Sequence, residues 1–597
     1  MSEIRRMLES ILVVDCGTTT TKAVLLDLVA GEYRMVAYAQ APSTAYRPWE
    51  DVSAGVVSAL ARLQAISGRA LLDDQSQPIT PEREDGSGVD RLLAISSAAN
   101  PLRVLIAGLI DDVSLASARR AALSTCSKIV GVIASEHRAD GSDGDSSLRS
   151  DGSKIDAVHT RSADVILMVG GTDGGATGPV LAMAQDILRV ALYGMGERAP
   201  FVLYAGNREL SDQVTRVLQD VASVQVVDNV RPTLDVEDIS PAHSELDVLF
   251  YERHMRAIPG IRRLRVWTPS IILPTARAAD YAIRYLARTG DASKAVLGVD
   301  VGSSSVTLNV AQGEEARTTI RTDLGMGYSL IGLLEQVDMD DILRWLPFEI
   351  DPFEARDRLL NKALHPHIVP QTREDLLLEH AAAREMLRLT LVDALPGWPG
   401  QVGGAKQATL PACDPIVAGG GVLAHVPHLG QAALILLDAL QPVGTSTIYL
   451  DTVDLLAALG TVANVEPLAT VQMLRGDALR PVGVVVVPHG RARPGDKVLT
   501  IRSAAEPENV YLEVRHGDLG VVSPPVTEPE TLLELVPSRG LDVGNGPGKR
   551  VQMSCLAGSL GLIVDARGRP LVLDGDPETR RQSVSHWLYQ MTGERGA

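Results

Sequence analysis

Val14-Asp15-Cys16-Gly17-Thr18-Thr19-Thr20 near the start and Val299-Asp300-Val301-Gly302-Ser303-Ser304-Ser305 in the middle repeat one pattern: apolar residue, aspartate, glycine, run of hydroxyls. Each copy follows a short apolar run, Leu12 to Val14 or Val296 to Val299, and precedes a second run, then Gly31 or Gly313, then a third. Ile11 to Val14, Ala23 to Leu26 and Tyr33 to Tyr38 read as a strand–turn–strand–turn–strand meander. Two homologous lobes are the natural inference. Glycine lets the hairpin turn tightly and lets backbone N–H groups approach phosphate oxygens, the hydroxyls add donors, and an aspartate at a strand end can hold Mg²⁺ through its waters. Two such hairpins facing each other would clamp a nucleotide's phosphates, with Gly17, Thr18, Thr19, Thr20, Gly302, Ser303, Ser304 and Ser305 as the contacts. Lys22 either reaches a phosphate or faces solvent.

Outward from the hairpins, Asp51 is placed to cap a helix that buries Val52, Val56, Leu60 and Leu63 and stops at Gly68. Asp73 to Asp90, with two prolines and few apolar residues, reads as an exposed loop. From Leu92 to about Val227 short apolar runs alternate with helical stretches such as Val180 to Leu192, which implies a parallel α/β layer. Glu136 to Lys154, rich in Ser, Gly and Asp, reads as disordered. Ile416-Val-Ala-Gly419-Gly420-Gly421 is a strand running into three glycines, flat enough to pack against an adenosine ring, and Leu455 to Val462 offers a small-residue helix at which two lobes could hinge. Beyond about Thr470 brief strands broken by Gly and Pro, including Gly483 to Val487 and the turn Arg493 to Asp496, suggest a small β-rich C-terminal domain. The expected class is α/β: two duplicated lobes, an inserted parallel layer and the C-terminal β region. The expected boundaries are 1–101, 102–270, 271–470 and 471–597.

Composition limits the functions available. A chain of 597 residues has room for about four compact units. Its 56 Lys and Arg against 74 Asp and Glu give a net charge of −18, which repels a phosphate backbone and makes nucleic acid an unexpected partner. The four cysteines, Cys16, Cys126, Cys413 and Cys555, show no C-x-x-C pairing, so neither a disulfide framework nor a zinc site is expected and a reducing cytoplasm fits best. Asp15 ends the first apolar run far short of a signal peptide, and no run approaches the about 18 apolar residues of a membrane span.

The order of elements resembles the actin, sugar-kinase and heat-shock-chaperone superfamily of ATPases over roughly Ser10 to Ala70 and Ile272 to Asn464. The segments Ala94 to Arg103, Asp164 to Gly175, Val202 to Asn207, Asn229 to Pro232 and Thr322 to Met326 sharpen the likeness. With them the chain resembles the glutamate-mutase accessory family called GlmL or MutL, unrelated to the mismatch-repair protein of the latter name. The resemblance implies that the two duplicated lobes are actin-like (ribonuclease H-like) and that the chain is an ATPase that binds Mg-ATP and reactivates or protects an adenosylcobalamin-dependent carbon-skeleton mutase. It casts Asp15 and Asp300 as the catalytic pair that positions Mg²⁺, with Asp300 orienting the attacking water. The sequence departs from the family pattern at Thr307, where an acidic residue is expected, and at Ala99-Asn100-Pro101, where Ala-Gly-Gly is expected. These changes bear on hydrolytic rate more than on nucleotide binding.

Gly170-Gly171-Thr172-Asp173-Gly174-Gly175 follows an apolar strand and precedes a helix, the position where parallel sheets bind ligands, so it is a candidate for a partner or second ligand as well as an ordinary glycine-rich turn. Gly544 to Arg550 lacks the glycine and the Ser or Thr of a P-loop. The histidine pairs His365/His367 and His425/His428 lack the D-x-H-x-x-G arrangement that ligates cobalamin, so cobalamin belongs to the partner. Three functions stay open on residues alone: a chaperone-like ATPase, a small-molecule kinase of the same superfamily, and a non-catalytic nucleotide-dependent scaffold, for which Thr307 argues.

Overall fold

The computed structural model describes residues 8–134, 163–194, 201–398, 410–476, 478–523, 532–554 and 559–593. The segment Glu136 to Lys154 and Cys555 lie outside them. Contacts divide the chain into two units: one holds 1–98, 259–318 and 323–597, the other 99–258 and 319–322.

In the first unit, β1 (Ser10–Cys16), β2 (Thr20–Val29) and β3 (Glu32–Pro42) form the antiparallel meander anticipated from the apolar runs, and β4 (Arg91–Ser96) adds parallel to β1. Ile11, Leu12, Val13 and Val14 are buried on both faces of the sheet because helices cover it, which is why they read as a continuous apolar run rather than an alternating one. The helix Val52–Ser67 follows from local chemistry. The Asp51 carboxylate accepts from Ser53 N at 2.9 Å, a cap worth about 1 kcal/mol, and Gly68 ends the helix at φ 73°. Val52, Val56, Leu60 and Leu63 face inward and are buried. The loop from Asp73 to Asp90 is less exposed than its composition suggested. Ile79 and Val89 are buried, and Val89 N donates to Ile79 O, so the segment folds back on itself.

The inserted unit carries β5 (Leu102–Gly108), β6 (Ser127–Ala134), β7 (Val165–Met168), β8 (Phe201–Tyr204) and β9 (Ser223–Val226). All pair in parallel in the order β6-β5-β7-β8-β9. This is the parallel layer expected from the alternation of apolar runs with helices.

The chain then returns to the first unit. The short β10 (Leu273–Pro274) completes the first sheet beside β4, in the order β10-β4-β1-β2-β3. The second lobe repeats that order. β11 (Ala295–Val301), β12 (Val306–Gln312) and β13 (Glu315–Arg321) form a meander; β14 (Cys413–Gly419) runs parallel to β11, and β15 (Gly444–Leu450) parallel to β14. The equivalent helices of the two lobes, Thr275–Thr289 and Leu455–Val462, pack directly on each other. A Cβ on Gly460 would stand 1.7 Å from the carbonyl oxygen of Ala278, so only glycine allows the two backbones this approach.

The C-terminal region is β-rich, and its strands divide between two sheets. β16 (Arg480–Val487), β19 (Leu519–Val522) and β22 (Leu562–Asp565) extend the second lobe's sheet beyond β15. β17 (Lys497–Ser503), β18 (Val510–Arg515), β20 (Leu532–Pro537) and β21 (Val551–Ser554) form a sheet of their own. The final helix Pro577–Thr592 places Trp587, Leu588 and Met591 in the second lobe's core. Among the described residues no helix is long and apolar enough to cross a membrane.

Gly460→Ala is therefore expected to lower the thermal midpoint of the chain, since forcing a methyl group into a closed backbone contact costs about 1–3 kcal/mol. Scanning fluorimetry checks it, and since alanine favours helix over glycine, a lowered midpoint reports the backbone clash rather than helix propensity.

Candidate functional site

The two hairpins are the same turn twice. Gly17 N donates to Thr20 O at 3.0 Å, and Gly302 N donates to Ser305 O at 2.9 Å. Register is equally conserved between the copies: Asp15 stands opposite Lys22, and Asp300 stands opposite Thr307. Thr307 thus occupies in the second lobe the place that Lys22 holds in the first, and it is buried.

Each hairpin is buttressed by segments singled out in the sequence. Ser96 Oγ donates to Cys16 O at 2.8 Å and Ser97 N to the same oxygen at 3.2 Å, so Ala94 to Arg103 begins with a brace for the first hairpin. In the second lobe Met326 N donates to Gly302 O at 2.9 Å and Gly327 N to Ser303 O at 2.8 Å. A Cβ on Gly325 would lie 2.7 Å from Ser303 O, which explains the glycine in Thr322 to Met326.

The hairpins meet. Thr19 Oγ1 donates to Ser303 Oγ at 2.6 Å. Behind this contact lie the strand ends that carry charge. Thr275 Oγ1, at the start of the helix after β10, donates to Asp15 Oδ1 at 3.0 Å. Lys22 Nζ forms an ion pair with Asp454 across the lobes. The Asp451 carboxylate accepts from Leu455 N at 2.8 Å and Leu456 N at 2.7 Å, holding the first turn of the Leu455–Val462 helix. Asp454 itself sits in the left-handed region at φ 55°.

Four carboxylates, Asp15, Asp300, Asp451 and Asp454, therefore share a partly desolvated space with one lysine. Burial is the largest cause of the shifts of Asp15, Asp300 and Asp451. The Asp15 carboxyl is pushed up to about 6, with Lys22 opposing and Asp454 adding to the rise. Asp300 rises to about 7, burial first and Asp454 second, with Lys22 opposing. Asp451 rises to about 6 through burial and Asp454 despite its backbone hydrogen bonds. The Lys22 ammonium is held above its ordinary range by Asp454 and Asp15, which outweigh its own burial. Such a concentration of negative charge favours a cation.

Of the three glycines at the end of β14, Gly419 borders the same space. In register Gly419 stands beside Asp300, and a Cβ there would touch Asp451 Cβ at 3.6 Å and Asp300 Oδ1 at 3.8 Å. Gly420 has φ 87°, and a Cβ on it would meet Val301 O at 2.3 Å, so it must be glycine. Gly421 is exposed and begins the short helix Gly421–Ala424. Among the described residues no three His, Cys, Asp or Glu side chains converge closely enough to cage a metal by themselves.

The structure brings Asp15, Gly17, Thr19, Lys22, Asp300, Gly302, Ser303, Gly419 and Gly420 to neighbouring strand ends. Sequence reasoning missed Asp451, Asp454 and Thr275. The available signal was positional: Asp451 follows β15 and Thr275 follows β10, the equivalent strands of the two lobes. Gly170 to Gly175 belong to the other unit, following β7. There Asp173 Oδ1 accepts from Arg208 N at 3.0 Å and from Asn229 Nδ2 at 2.9 Å, so this carboxylate ties three loops together.

The remaining motifs have local explanations. His428 Nδ1 accepts from Gly430 N at 3.1 Å and caps the helix Leu429–Leu440. Asp542 Oδ1 accepts from Gly544 N at 2.7 Å and Gly546 N at 2.9 Å, which occupies the donors that a phosphate loop would present. Cys16, Cys126 and Cys413 are free thiols.

A family model described as MutL protein matches residues 11–478. A protein named Protein MutL from Clostridium tetanomorphum is 26% identical over 378 residues, covering 59% of this chain and 77% of its own length. Among solved structures, an acetone carboxylase in nucleotide-free form is 11% identical, covering 76% of this chain and 70% of its own, with a TM-score of 0.32. The ethanolamine utilization protein EutJ from Carboxydothermus hydrogenoformans is 11% identical, covering 77% and 93%, with a TM-score of 0.26. An ATP-dependent caprolactamase from Pseudomonas jessenii is 13% identical, covering 95% and 89%, with a TM-score of 0.31.

The raised carboxyls predict a pH dependence with a defined sign. Unfolded, an aspartate titrates near 3.8, whereas Asp15 and Asp300 titrate near 6 and 7 in the fold. Between about pH 4 and 7 the folded chain binds more protons than the unfolded one, so these groups cost stability increasingly as pH rises through that window. Asp300→Asn should raise the thermal midpoint of the nucleotide-free chain, and by more at pH 8 than at pH 5. An equal gain at both values, or a loss, would contradict the burial of this charge.

Proposed function

The chain belongs to the MutL family, the glutamate-mutase-associated one, and from that premise we propose that it is a Mg-ATP-binding, chaperone-like ATPase that reactivates or protects an adenosylcobalamin-dependent mutase of the glutamate mutase type. The observation that carries the ATP site is the pair of matched hairpins joined by the Thr19–Ser303 hydrogen bond, each with an aspartate at the preceding strand end.

The donor set fits magnesium. That ion keeps several waters and takes one or two carboxylates plus substrate phosphates, so it needs no all-protein cage. Asp15 and Asp300 would hold it through its waters. The bound ion would neutralise charge developing on the phosphates. The hairpin N–H groups and the hydroxyls of Thr18, Thr19, Thr20, Ser303, Ser304 and Ser305 bind phosphate oxygens, and Lys22 exchanges its ion pair with Asp454 for one with a phosphate. Gly419, Gly420 and Gly421 leave room for the adenosine. Asp300, titrating near neutrality, accepts a proton from the attacking water and holds that water in line. Thr307, opposite Asp300, offers a hydroxyl in place of a second carboxylate, which slows hydrolysis without weakening binding.

Lobe closure then senses the terminal phosphate through the packed helices Thr275–Thr289 and Leu455–Val462, and the inserted parallel layer contributes to mutase recognition. The proposed divisions remain 1–101, 102–270, 271–470 and 471–597, with the protein in the cytoplasm. The near-neutral Asp300 also suits a kinase, for which it would take the proton of a substrate hydroxyl.

Asp15→Ala and Asp300→Ala are each expected to abolish Mg-dependent ATP affinity by calorimetry while the chain stays folded. Hydrolysis by the isolated chain should be slow and should rise at least about tenfold on adding glutamate mutase, a change of about 1.4 kcal/mol in the barrier. Rapid turnover by the isolated chain would count against this reading, and phosphate transfer to a polyol would support the kinase instead.

A further inference from the structure

The inserted sheet reverses its winding between β5 and β7, because the chain runs from β5 outward to β6 and returns past β5 to β7. In parallel sheets a crevice opens at the carboxyl ends of the strands at such a point. Here the loops after β5 and β7 touch: a Cβ on Gly170 would lie 2.7 Å from Leu109 Cγ. Gly170, Gly171 and Gly174 have φ of 131°, 72° and 71°; the N–H groups of Asp173, Gly174 and Gly175 are bonded to Pro232 O, Asn207 Oδ1 and Thr172 O, which leaves those of Gly170, Gly171 and Thr172 as the donors the turn offers an anion. The turn leads into the helix Gly178–Gly194.

A second observation points to a ligand. Asn207, after β8, is fully buried against this turn. Its Oδ1 accepts from Gly174 N at 3.3 Å and from Glu209 N at 3.1 Å, which fixes the amide's orientation. Its Nδ2 is buried with no partner. A buried donor left unpaired is costly, and a ligand's acceptor would relieve that cost. Among the described residues Arg208, beside it, is exposed and makes no ion pair, while Glu209 and the second oxygen of Asp173 can accept hydrogen bonds.

We propose that this crevice binds a phosphate monoester that also carries hydroxyl groups: the phosphate on Asn207 Nδ2, the glycine turn and Arg208, the hydroxyls on Asp173 and Glu209. Reaching the buried Nδ2 takes an outward shift of the glycine turn at the expense of the Gly174 N–Asn207 Oδ1 hydrogen bond, so binding rearranges the turn. The site is independent of the ATP reading, since no hairpin residue takes part.

Hydrogen–deuterium exchange of the full chain, with ribose 5-phosphate as the probe at millimolar concentration, tests this. Exchange in 170–177 and 205–210 should slow at least about threefold. Asn207→Asp keeps both accepted hydrogen bonds but replaces the donor with a repelling oxygen, and it should abolish the slowing. Thr172→Val, whose change is milder, should weaken it. Asp300→Asn should leave it intact, which separates this site from the nucleotide clamp. No slowing in the parent chain, or equal slowing in Asn207→Asp, overturns the proposal; equal slowing by inorganic phosphate overturns the assignment of Asp173 and Glu209 to hydroxyls.

Discussion

Crowded negative charge at two facing strand ends is the constraint on which the rest of the first unit depends. Asp15, Asp300, Asp451 and Asp454 surround one lysine, and burial lifts the first three toward neutrality. Nothing in stability alone favours this, because a buried unpaired carboxylate destabilises a fold unless it is protonated, paired or met by a cation. Lys22 answers part of the charge through Asp454, and backbone N–H groups at a helix start answer Asp451. The remainder is what a metal–nucleotide complex would neutralise. Strain gathers in the same place, since Asp454 and Gly420 both adopt positive φ there.

Holding those strand ends opposite each other requires the duplication and the glycines together. Two sheets of the same strand order place Asp15 and Asp300 on equivalent strands. Gly460 then lets the equivalent helices approach to backbone contact, and Gly325 lets its loop lie on the second hairpin. Each glycine serves a distance that no side chain would permit. Buried apolar strands such as Ile11 to Val14 supply the driving force, while hydroxyls such as Ser96 fix the turn's orientation.

Much of this was legible in the residues because it is local. Hairpin turns, the Asp51 cap, the Gly68 stop and the five parallel strands of the inserted layer announce themselves within a few positions. Asp451, Asp454 and Thr275 did not, because their relation to Asp15 and Asp300 comes from strand pairing between distant segments. The C-terminal region was recognised as β-rich, yet β16, β19 and β22 joining the second lobe's sheet is a non-local pairing that short strand runs cannot reveal. The exposed reading of Asp73 to Asp90 failed at Ile79 and Val89, two apolar residues too few to register against a polar background but enough to anchor the loop.

The central claim is that both hairpins grip one phosphate chain rather than serving two sites. A double-mutant cycle on Mg-ATP affinity, with Thr18→Val in one hairpin and Ser304→Ala in the other, two hydroxyls outside the Thr19–Ser303 hydrogen bond, measures it most directly. One shared ligand predicts a coupling energy of about 0.5–3 kcal/mol between the two changes and a stoichiometry of one ATP per chain. Strict additivity with two ATP bound per chain would contradict the clamp.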